Sequence, residues 1–136
     1  MSQPISNLNE LISHMTPVLR EGVYVFATLP QDVTINVTDV LAMVREAEGL
    51  TVVVTEDVAK QLCLSIAFRA AWISLTVHSD LEAVGLTAAF AAALGRAGIS
   101  CNVMAGVYHD HIFVPVAKAD QAMSVLNALQ KNAAMI

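Results

Sequence analysis

The segment from Trp72 to Val116 constrains the fold of this chain more than any other part of the sequence. In chain order it predicts a strand, a short polar turn, a helix that ends at Gly98, and two further strands. The helix is predicted from one apolar stripe at spacings of three and four residues, and the strands from alternating or continuous apolar runs. Polar residues collect at the turn and at the strand ends, without an obvious combination of nucleophile, base and charge-stabilising group. This arrangement favours binding over catalysis.

The flanking sequence predicts further elements of the same kinds. Ile5–Met15 and Ala119–Lys131 carry apolar residues at helical spacing, so each is predicted to be an amphipathic helix. Val23–Leu29 and Leu50–Thr55 are apolar on both faces, which is typical of buried strands. These elements extend the strand and helix pattern to both sides of the central segment.

The region between the two buried strands is predicted to be helical. Asn36 is expected to cap a helix over Val37–Glu48, and Gly49 is expected to end it. For Glu56–Ala71 the pattern leaves helix and strand open as alternatives.

The two halves of the sequence share a similar order of elements. One and the same shift along the chain superposes Val23 on Trp72 and Gly49 on Gly98, which favours a duplicated unit. The division is placed between residues 1–70 and 71–136. The second half gives the order of a βαββαβ sandwich but lacks its closing strand, so that strand is expected to come from the other half. We therefore expect the halves to share strands and to form one body.

Composition narrows the classes of partner. Of the 136 residues, 56% are hydrophobic and only 14% are charged, so part of the apolar surface is expected to be buried in a homo-oligomer. The net charge of −5, with no cluster of lysine or arginine to offset it, opposes binding to nucleic acid. The longest apolar runs, such as Ala83–Gly95, are too short to cross a membrane.

The same sequence favours a cytoplasmic location. The N-terminus has no basic region followed by an apolar run, so no secretory signal is expected. Cys63 and Cys101 stand alone in apolar sequence and fit no metal-binding or redox spacing. They are expected to be buried, reduced thiols.

The residues HSDLEAVGLTAAFAAALGRAGISCNVMAG resemble an ACT domain, a small regulatory module of amino-acid metabolism. The resemblance lies in the turn at Val84-Gly85, the Ala/Leu helix, the run Ala97-Gly98-Ile99, and Asn102. It looks most like the tandem ACT pair of aspartokinases and the related cytosolic arginine sensors. It is closer still to small free-standing bacterial tandem-ACT proteins of unassigned function. The strong match extends from Trp72 to about Leu126.

The resemblance implies an α+β fold, a tandem duplication of the ferredoxin-like βαββαβ sandwich, with antiparallel sheets and helices on one side. ACT domains are similar in pairing side by side and binding an amino acid at the interface. The ligand sits against the turn after the first strand and the start of the second strand. In this chain that implies a ligand site on the turn and the strand, made of Asp80, Leu81, Gly85, Leu86, Asn102 and Val103.

Each polar position of this site also has a structural interpretation. Unpaired N–H groups beside Gly85 suit a carboxylate, but the glycine could serve only the turn or close packing. Asp80 suits an ammonium group, but is equally a common residue at a helix start. Asn102 can donate and accept as a zwitterion requires, or be satisfied by neighbouring backbone.

Three histidines are expected at the rim of the ligand site: His78, His109 and His111. With Asp110 they also suggest a metal site, because imidazole is a common zinc ligand, but the spacing fixes no third ligand. A structural turn or a ligand rim is favoured, and neither a metal nor a cofactor is expected. A hydrolase relay of Ser79 with its neighbours is disfavoured because adjacent residues of a strand point in different directions.

Trp72, Thr76, Met104 and Phe113 are predicted on the sheet face opposite Ile73, Leu75, Cys101 and Val114. Either the former face is a subunit interface, or the helix over Ile5–Met15 covers it; the sequence leaves both open.

The sequence thus favours a non-enzymatic protein that senses or carries an amino acid as a homo-oligomer, either a dimer or a tetramer. Either it regulates a separate protein partner, or it is a sensor whose output the sequence leaves open. One alternative is a structural or regulatory interaction subunit with a vestigial ligand site. A metal-dependent enzyme using His109 and His111 is the least favoured reading.

Overall fold

The computed structural model describes residues 7–77 and 81–134, which form one antiparallel sheet with helices packed against it. The strands are β1 (Pro17–Leu19), β2 (Tyr24–Leu29), β3 (Ala42–Glu46), β4 (Gly49–Thr55), β5 (Ser65–Leu75), β6 (Asn102–Ala105) and β7 (Asp110–Pro115). The helices are α1 (Leu8–His14), α2 (Glu56–Gln61), α3 (Leu86–Arg96) and α4 (Ala119–Ala134). No helix in this described part of the chain is long and apolar enough to cross a membrane.

Strand β5 holds the whole sheet together. The strand order is β3-β4-β2-β5-β7-β6, and β1 also pairs with β5. The first half of β5, from Ser65 to Ala70, pairs with β2, whereas the second half, from Ala70 to Leu75, pairs with β7. Strand β1 continues beside the second half of β5, with Pro17 opposite Leu75. Every other strand is therefore connected to β5 directly or through one or two neighbours.

Two units of the βαββαβ type share this sheet, although the first has a 3₁₀ turn over Val37–Asp39 in place of its first helix. In the second unit β5, α3, β6, β7 and α4 follow one another, and β1 supplies the closing strand that the sequence after α4 lacks. In the first unit β5 is itself the last strand, after β2, β3, β4 and α2. The predicted division between residues 70 and 71 therefore falls inside a strand that both units use.

The helices pack on one side of the sheet. Beneath α1, α3 and α4 lies the larger core, which includes the fully buried Leu11, Phe90, Leu94, Ile112 and Leu126. A smaller core lies beneath α2 and is built mainly from the valines of β2 and β4. These observations confirm the predicted fold class, an α+β fold with an antiparallel sheet and helices on one side.

The opposite side of the sheet, here called the open face, carries an aromatic cluster. Phe26 contacts Phe68 and Phe113, and the rings of Trp72 and Phe113 stack at a centroid distance of 6.4 Å. Helix α1 packs into the core on the helix side, so it does not cover this face. Met104 also belongs to the open face, as the alternation of the sequence predicted.

The predicted helix over Val37–Glu48 is wrong. Asn36 does act as a cap, because its Oδ1 accepts a hydrogen bond from the Thr38 N–H at 3.1 Å, but only a short 3₁₀ turn over Val37–Asp39 follows. Within the rest of the predicted helix, Ala42–Glu46 form β3, which pairs with β4 through a hairpin, so sheet pairing prevails over local helical spacing. Gly49 begins β4 instead of ending a helix, and it is not equivalent to Gly98.

The segment left open between helix and strand contains both. Residues 56–61 form α2, and β5 begins at Ser65. Cys63 lies between them and is exposed, contrary to the expectation of a buried thiol. It follows α2 in the left-handed conformation, with φ +54°, where the chain reverses and the next N–H bonds back to Ala59 at 2.9 Å.

Candidate functional site

The start of α3 leaves backbone donors without a cap. Gly85 is the N-cap residue with φ +104°, and a Cβ at this position would lie 3.0 Å from Cδ2 of Leu8. The first intrahelical bond runs from the Ala89 N–H to the Gly85 oxygen at 2.9 Å, so the N–H groups of residues 86–88 precede it. Because glycine has no side chain to accept from them, these groups are available to an anion.

Asp110 is the one charged residue in the described part of the chain that is buried. It begins β7, in register with Leu75 on one side and Ala105 on the other, and only 6% of its surface is exposed. Burial raises the pKa of its carboxyl group, an effect that the nearby His109 partly opposes. The salt bridges of the described residues all involve Glu56, so none of them pairs Asp110 with a cation.

One cavity of about 140 Å³ joins these two features. Its walls come from the turn before α3, the first turn of α3, and the facing ends of β6 and β7. The lining residues are Leu81, Ala83, Gly85, Leu86, Thr87, Ala105 and Asp110. The cavity therefore has the positive end of a helix dipole and a buried carboxylate in its walls, the opposite charges that a zwitterion requires.

Exposed apolar side chains surround this end of the molecule. Leu81 and Val84 lie in the turn before α3, and Val107 and Tyr108 lie in the hairpin between β6 and β7. All four are more than half exposed. Single exposed apolar residues are ordinary, but a group at the mouth of a cavity is typical of a binding surface.

The structure brings part of the predicted site together. Leu81, Gly85 and Leu86 line the cavity, while Asp80 falls outside the described residues. Asn102 lies opposite Phe113 in the β6–β7 register, which places it on the open face, away from the cavity. Val103 lies opposite Ile112 and packs against the core on the helix side. A ligand role for these two residues stays a prediction.

The three predicted rim histidines do not form one group. His78 lies outside the described residues. His109 lies in the hairpin turn before β7, and its Nδ1 is buried without a hydrogen-bond partner among the described residues. His111 lies in β7, where its Nδ1 is 3.1 Å from Trp72 Nε1 and 3.0 Å from Ser74 Oγ.

Burial is the main reason why the pKa of His111 lies below its usual value, and the charges of His109 and Arg20 add to this effect. Within residues 7–77 and 81–134, no three side chains of His, Cys, Asp or Glu come close enough to hold a metal ion.

Of the cavity residues absent from the predicted site, Asp110 is the charged one. In the sequence, Asp110 was considered only as a further ligand beside His109 and His111 in a metal site. Yet the alternation of β7 puts Asp110 in phase with Ile112 and Val114, both of which are buried on the helix side. A charged residue in phase with buried apolar positions of a strand is the signal that would have identified it.

The comparisons with known proteins agree with this architecture. Models of the ACT domain match residues 3–71 and 68–128. One similar solved structure is that of a Vibrio cholerae protein of unknown function, described as a possible transport protein. Its sequence is 45% identical to this chain, and the match covers 90% of this chain and 95% of that protein, with a TM-score of 0.77. A comparison with curated protein sequences finds no match.

More distant structures share the fold alone. The regulatory subunit of aspartate kinase from Thermus thermophilus is 10% identical, with coverage of 85% of this chain and 97% of its own and a TM-score of 0.60. The aspartate kinase of Clostridium acetobutylicum is 11% identical, and the match covers 85% of this chain but 34% of the kinase, with a TM-score of 0.61. The chain belongs to the ACT domain family and contains two ACT domains in tandem.

Proposed function

We propose that this protein is a non-catalytic regulatory protein that binds a small amino acid in the cavity between α3 and β7. One observation carries the proposal: the uncapped start of α3 and the uncompensated carboxylate of Asp110 line the same cavity. The family supports it, because ACT domains typically bind amino acids in regulatory roles.

The helix start suits the carboxylate of the ligand. Three consecutive N–H groups point out of the first turn of α3, and the helix dipole favours negative charge there. The first turn contains no acidic side chain that would compete for these donors. Gly85 itself has no side chain that could cap these donors.

Asp110 suits the ammonium group. A carboxylate that is buried without a cation is costly, and that cost is removed when a cation takes the adjacent position. An ammonium group provides both the charge and up to three hydrogen bonds. Asp110 would thereby select an amino acid against a simple carboxylic acid.

The volume of the cavity favours a small ligand. An engineered apolar cavity of about 150 Å³ binds benzene, a molecule of roughly this size with six non-hydrogen atoms. Alanine has the same number, so the 140 Å³ found here suits an amino acid with a short side chain. A longer side chain would extend toward the exposed apolar residues at the cavity mouth.

The lining residues support binding over catalysis. Among the described residues of the wall, Asp110 is the only ionisable side chain and Thr87 is the only hydroxyl. No pair of nucleophile and base lines this described cavity, and apolar residues make up the rest of the wall. We therefore propose that the protein is not an enzyme. We also propose that it is cytoplasmic and that a separate protein partner receives its signal.

A second candidate function is an interaction subunit, and the open face favours it. Phe26, Phe68 and Trp72 are partly exposed and surround the buried Phe113, and no described helix covers this aromatic surface. Aromatic residues are common anchors of subunit interfaces. A homo-oligomer is compatible with both candidates, and light scattering at micromolar concentration distinguishes it from a monomer.

The test is a thermal-shift screen of the proteinogenic amino acids and their biosynthetic relatives, followed by calorimetry on each hit. A ligand at a hundred times its dissociation constant stabilises the folded state by about 2.7 kcal/mol, which raises the melting temperature by several degrees. Asp110→Asn is expected to weaken binding at least about tenfold, because it removes a charge-assisted bond. Asp32→Asn, an equal change at an exposed aspartate, is the matched control.

The outcomes separate the candidates. A hit that Asp110→Asn weakens and Asp32→Asn leaves unchanged supports the cavity site. No hit at millimolar concentration, or a hit that Asp110→Asn leaves unchanged, favours the interaction subunit instead. Asn102→Ala is measured alongside, because the family resemblance implies a ligand role for Asn102. A loss of affinity in this variant would extend the site to β6.

A further inference from the structure

A second polar group lies on the open face, on the other side of the sheet from the cavity. Arg20 follows β1, and its backbone N–H donates to the Trp72 oxygen at 2.8 Å. Its Nε donates to Ser74 Oγ at 3.1 Å, and its Cζ lies 5.1 Å from the centroid of the Trp72 ring. His111 lies directly opposite Ser74 in the β5–β7 register. We call Arg20, Trp72, Ser74 and His111 the Arg20 cluster.

The hydrogen bonds of the Arg20 cluster fix the protonation of His111. The indole nitrogen of Trp72 can only donate, so Nδ1 of His111 must accept its bond at 3.1 Å. Ser74 Oγ, which accepts from Arg20, can direct its own proton to the same Nδ1 at 3.0 Å. The ring proton is therefore on Nε2 and the imidazole is neutral.

These contacts hold the Arg20 guanidinium in one place while leaving its charge uncompensated. Ser74 is fully buried and forms a rigid anchor for Nε, and the indole ring supports the guanidinium plane. No described carboxylate forms an ion pair with Arg20, whereas Arg69 bonds to Glu56 through two nitrogens. The two terminal nitrogens of Arg20 thus remain as a paired set of donors.

We propose that the Arg20 cluster is a second ligand site, distinct from the cavity, and that it binds a carboxylate anion. The terminal nitrogens of Arg20 donate two parallel hydrogen bonds to the two carboxylate oxygens, the geometry for which a guanidinium is suited. Ser74, Trp72 and His111 position the guanidinium, so little conformational entropy is lost when the anion binds.

The composition of the cluster favours a carboxylate over a phosphate. Arg20 is its only permanent cation, and the neutral His111 adds no charge, so the site matches a single negative charge. The chain as a whole carries a net charge of −5, which disfavours ligands with several negative charges. The buried Tyr24 ring packs edge-on against Trp72 at 5.2 Å and so helps to hold the indole in place.

Fluorescence provides a direct test, because Trp72 is the only tryptophan of the chain. The full-length protein is titrated with sodium acetate and sodium benzoate at constant ionic strength, with sodium chloride replaced as the carboxylate is added. We expect a saturable change in Trp72 emission with a dissociation constant on the order of millimolar. Inorganic phosphate is titrated in parallel to compare the two anion classes.

Substitutions connect the response to Arg20. The affinity of Arg20→Gln for the carboxylate is expected to be roughly tenfold lower, or lower still. Arg20→Lys keeps the charge but loses the paired donors, so its affinity is expected to fall by a smaller factor. Arg45→Gln, an equal change of charge at an exposed arginine of β3, is expected to leave the titration unchanged. Circular dichroism confirms that each variant is folded.

The carboxylate titrations test the Arg20 site independently of the cavity site. A saturable response to carboxylates that depends on Arg20 and not on Arg45 supports it. A response that persists in Arg20→Gln, that chloride reproduces at the same ionic strength, or that is absent in the folded wild type overturns it. Asp110→Asn, which tests the cavity, is expected to leave this titration unchanged.

Discussion

Two glycines of α3 are expected to respond in opposite directions to replacement by alanine. Gly85 precedes the helix with φ +104°, a conformation that costs an L-residue roughly 1–2 kcal/mol. An added Cβ would also lie 3.0 Å from Leu8 Cδ2, so that the end of the leucine must move. Gly95 lies within the helix, and no atom lies within 4 Å of a Cβ built there.

The magnitudes follow from these two environments. Gly85→Ala is expected to lower the free energy of unfolding by about 1–2 kcal/mol, since the left-handed strain exceeds the gain from a stiffer unfolded chain. Gly95→Ala is expected to raise it by about 0.5–1 kcal/mol through helix propensity. The two variants should therefore differ by roughly 1.5–3 kcal/mol, or on the order of 10 °C in melting temperature.

Urea denaturation measures this difference. Far-UV circular dichroism and Trp72 fluorescence should give the same transition, with m-values equal to that of the wild type. If both variants shift stability in the same direction, or differ by less than about 1 kcal/mol, the conformation assigned to the start of α3 is wrong.

Three further predictions concern other parts of the molecule. Burial raises the pKa of Asp110, so the folded state holds the carboxyl proton more tightly than the unfolded state does. The free energy of unfolding therefore falls as the pH rises through this raised pKa. Without ligand, Asp110→Asn should unfold at a higher urea concentration than the wild type at pH 7, and this difference should vanish in acid. A fragment of residues 72–136 should show no cooperative thermal transition, because it lacks α1 and β1, which complete its core and sheet; a stable monomeric fragment would refute this. Cys63 should react rapidly with a thiol reagent at pH 8 and Cys101 slowly, because burial raises the Cys101 pKa to about 11; in Cys63→Ser only the slow phase should remain.

Strong local signals made the second half of the chain predictable. The apolar stripe with Phe90 and Leu94 gave α3, and the strand ending near Val116 matches β7 within a residue. Local periodicity failed where pairing decides the structure. β3 joins β4 through Ala47 and Glu48, which lack the Asn-Gly or Asp-Gly signal of a tight hairpin, so the sequence favoured a helix there.

Those parts of the candidate site that depend on backbone conformation could be predicted from the sequence. Gly85 marks the left-handed position before α3, and that position depends on local sequence alone. The role of Asp110 depends on burial against the turn at Leu81, which is a tertiary contact. The open position of the Trp72 face depends on where α1 packs, and the sequence left that undecided.

Amide chemical shifts during a ligand titration test the cavity site most directly. The ¹⁵N-labelled protein is titrated with an amino acid identified by the thermal screen. We expect the largest shifts at the amides of Leu86, Thr87, Ala88 and Asp110, all saturating with one dissociation constant. The N–H groups at the start of α3 should move because they donate to the ligand carboxylate. Largest shifts on the open face around Trp72, or small shifts without saturation at the start of α3, would contradict it.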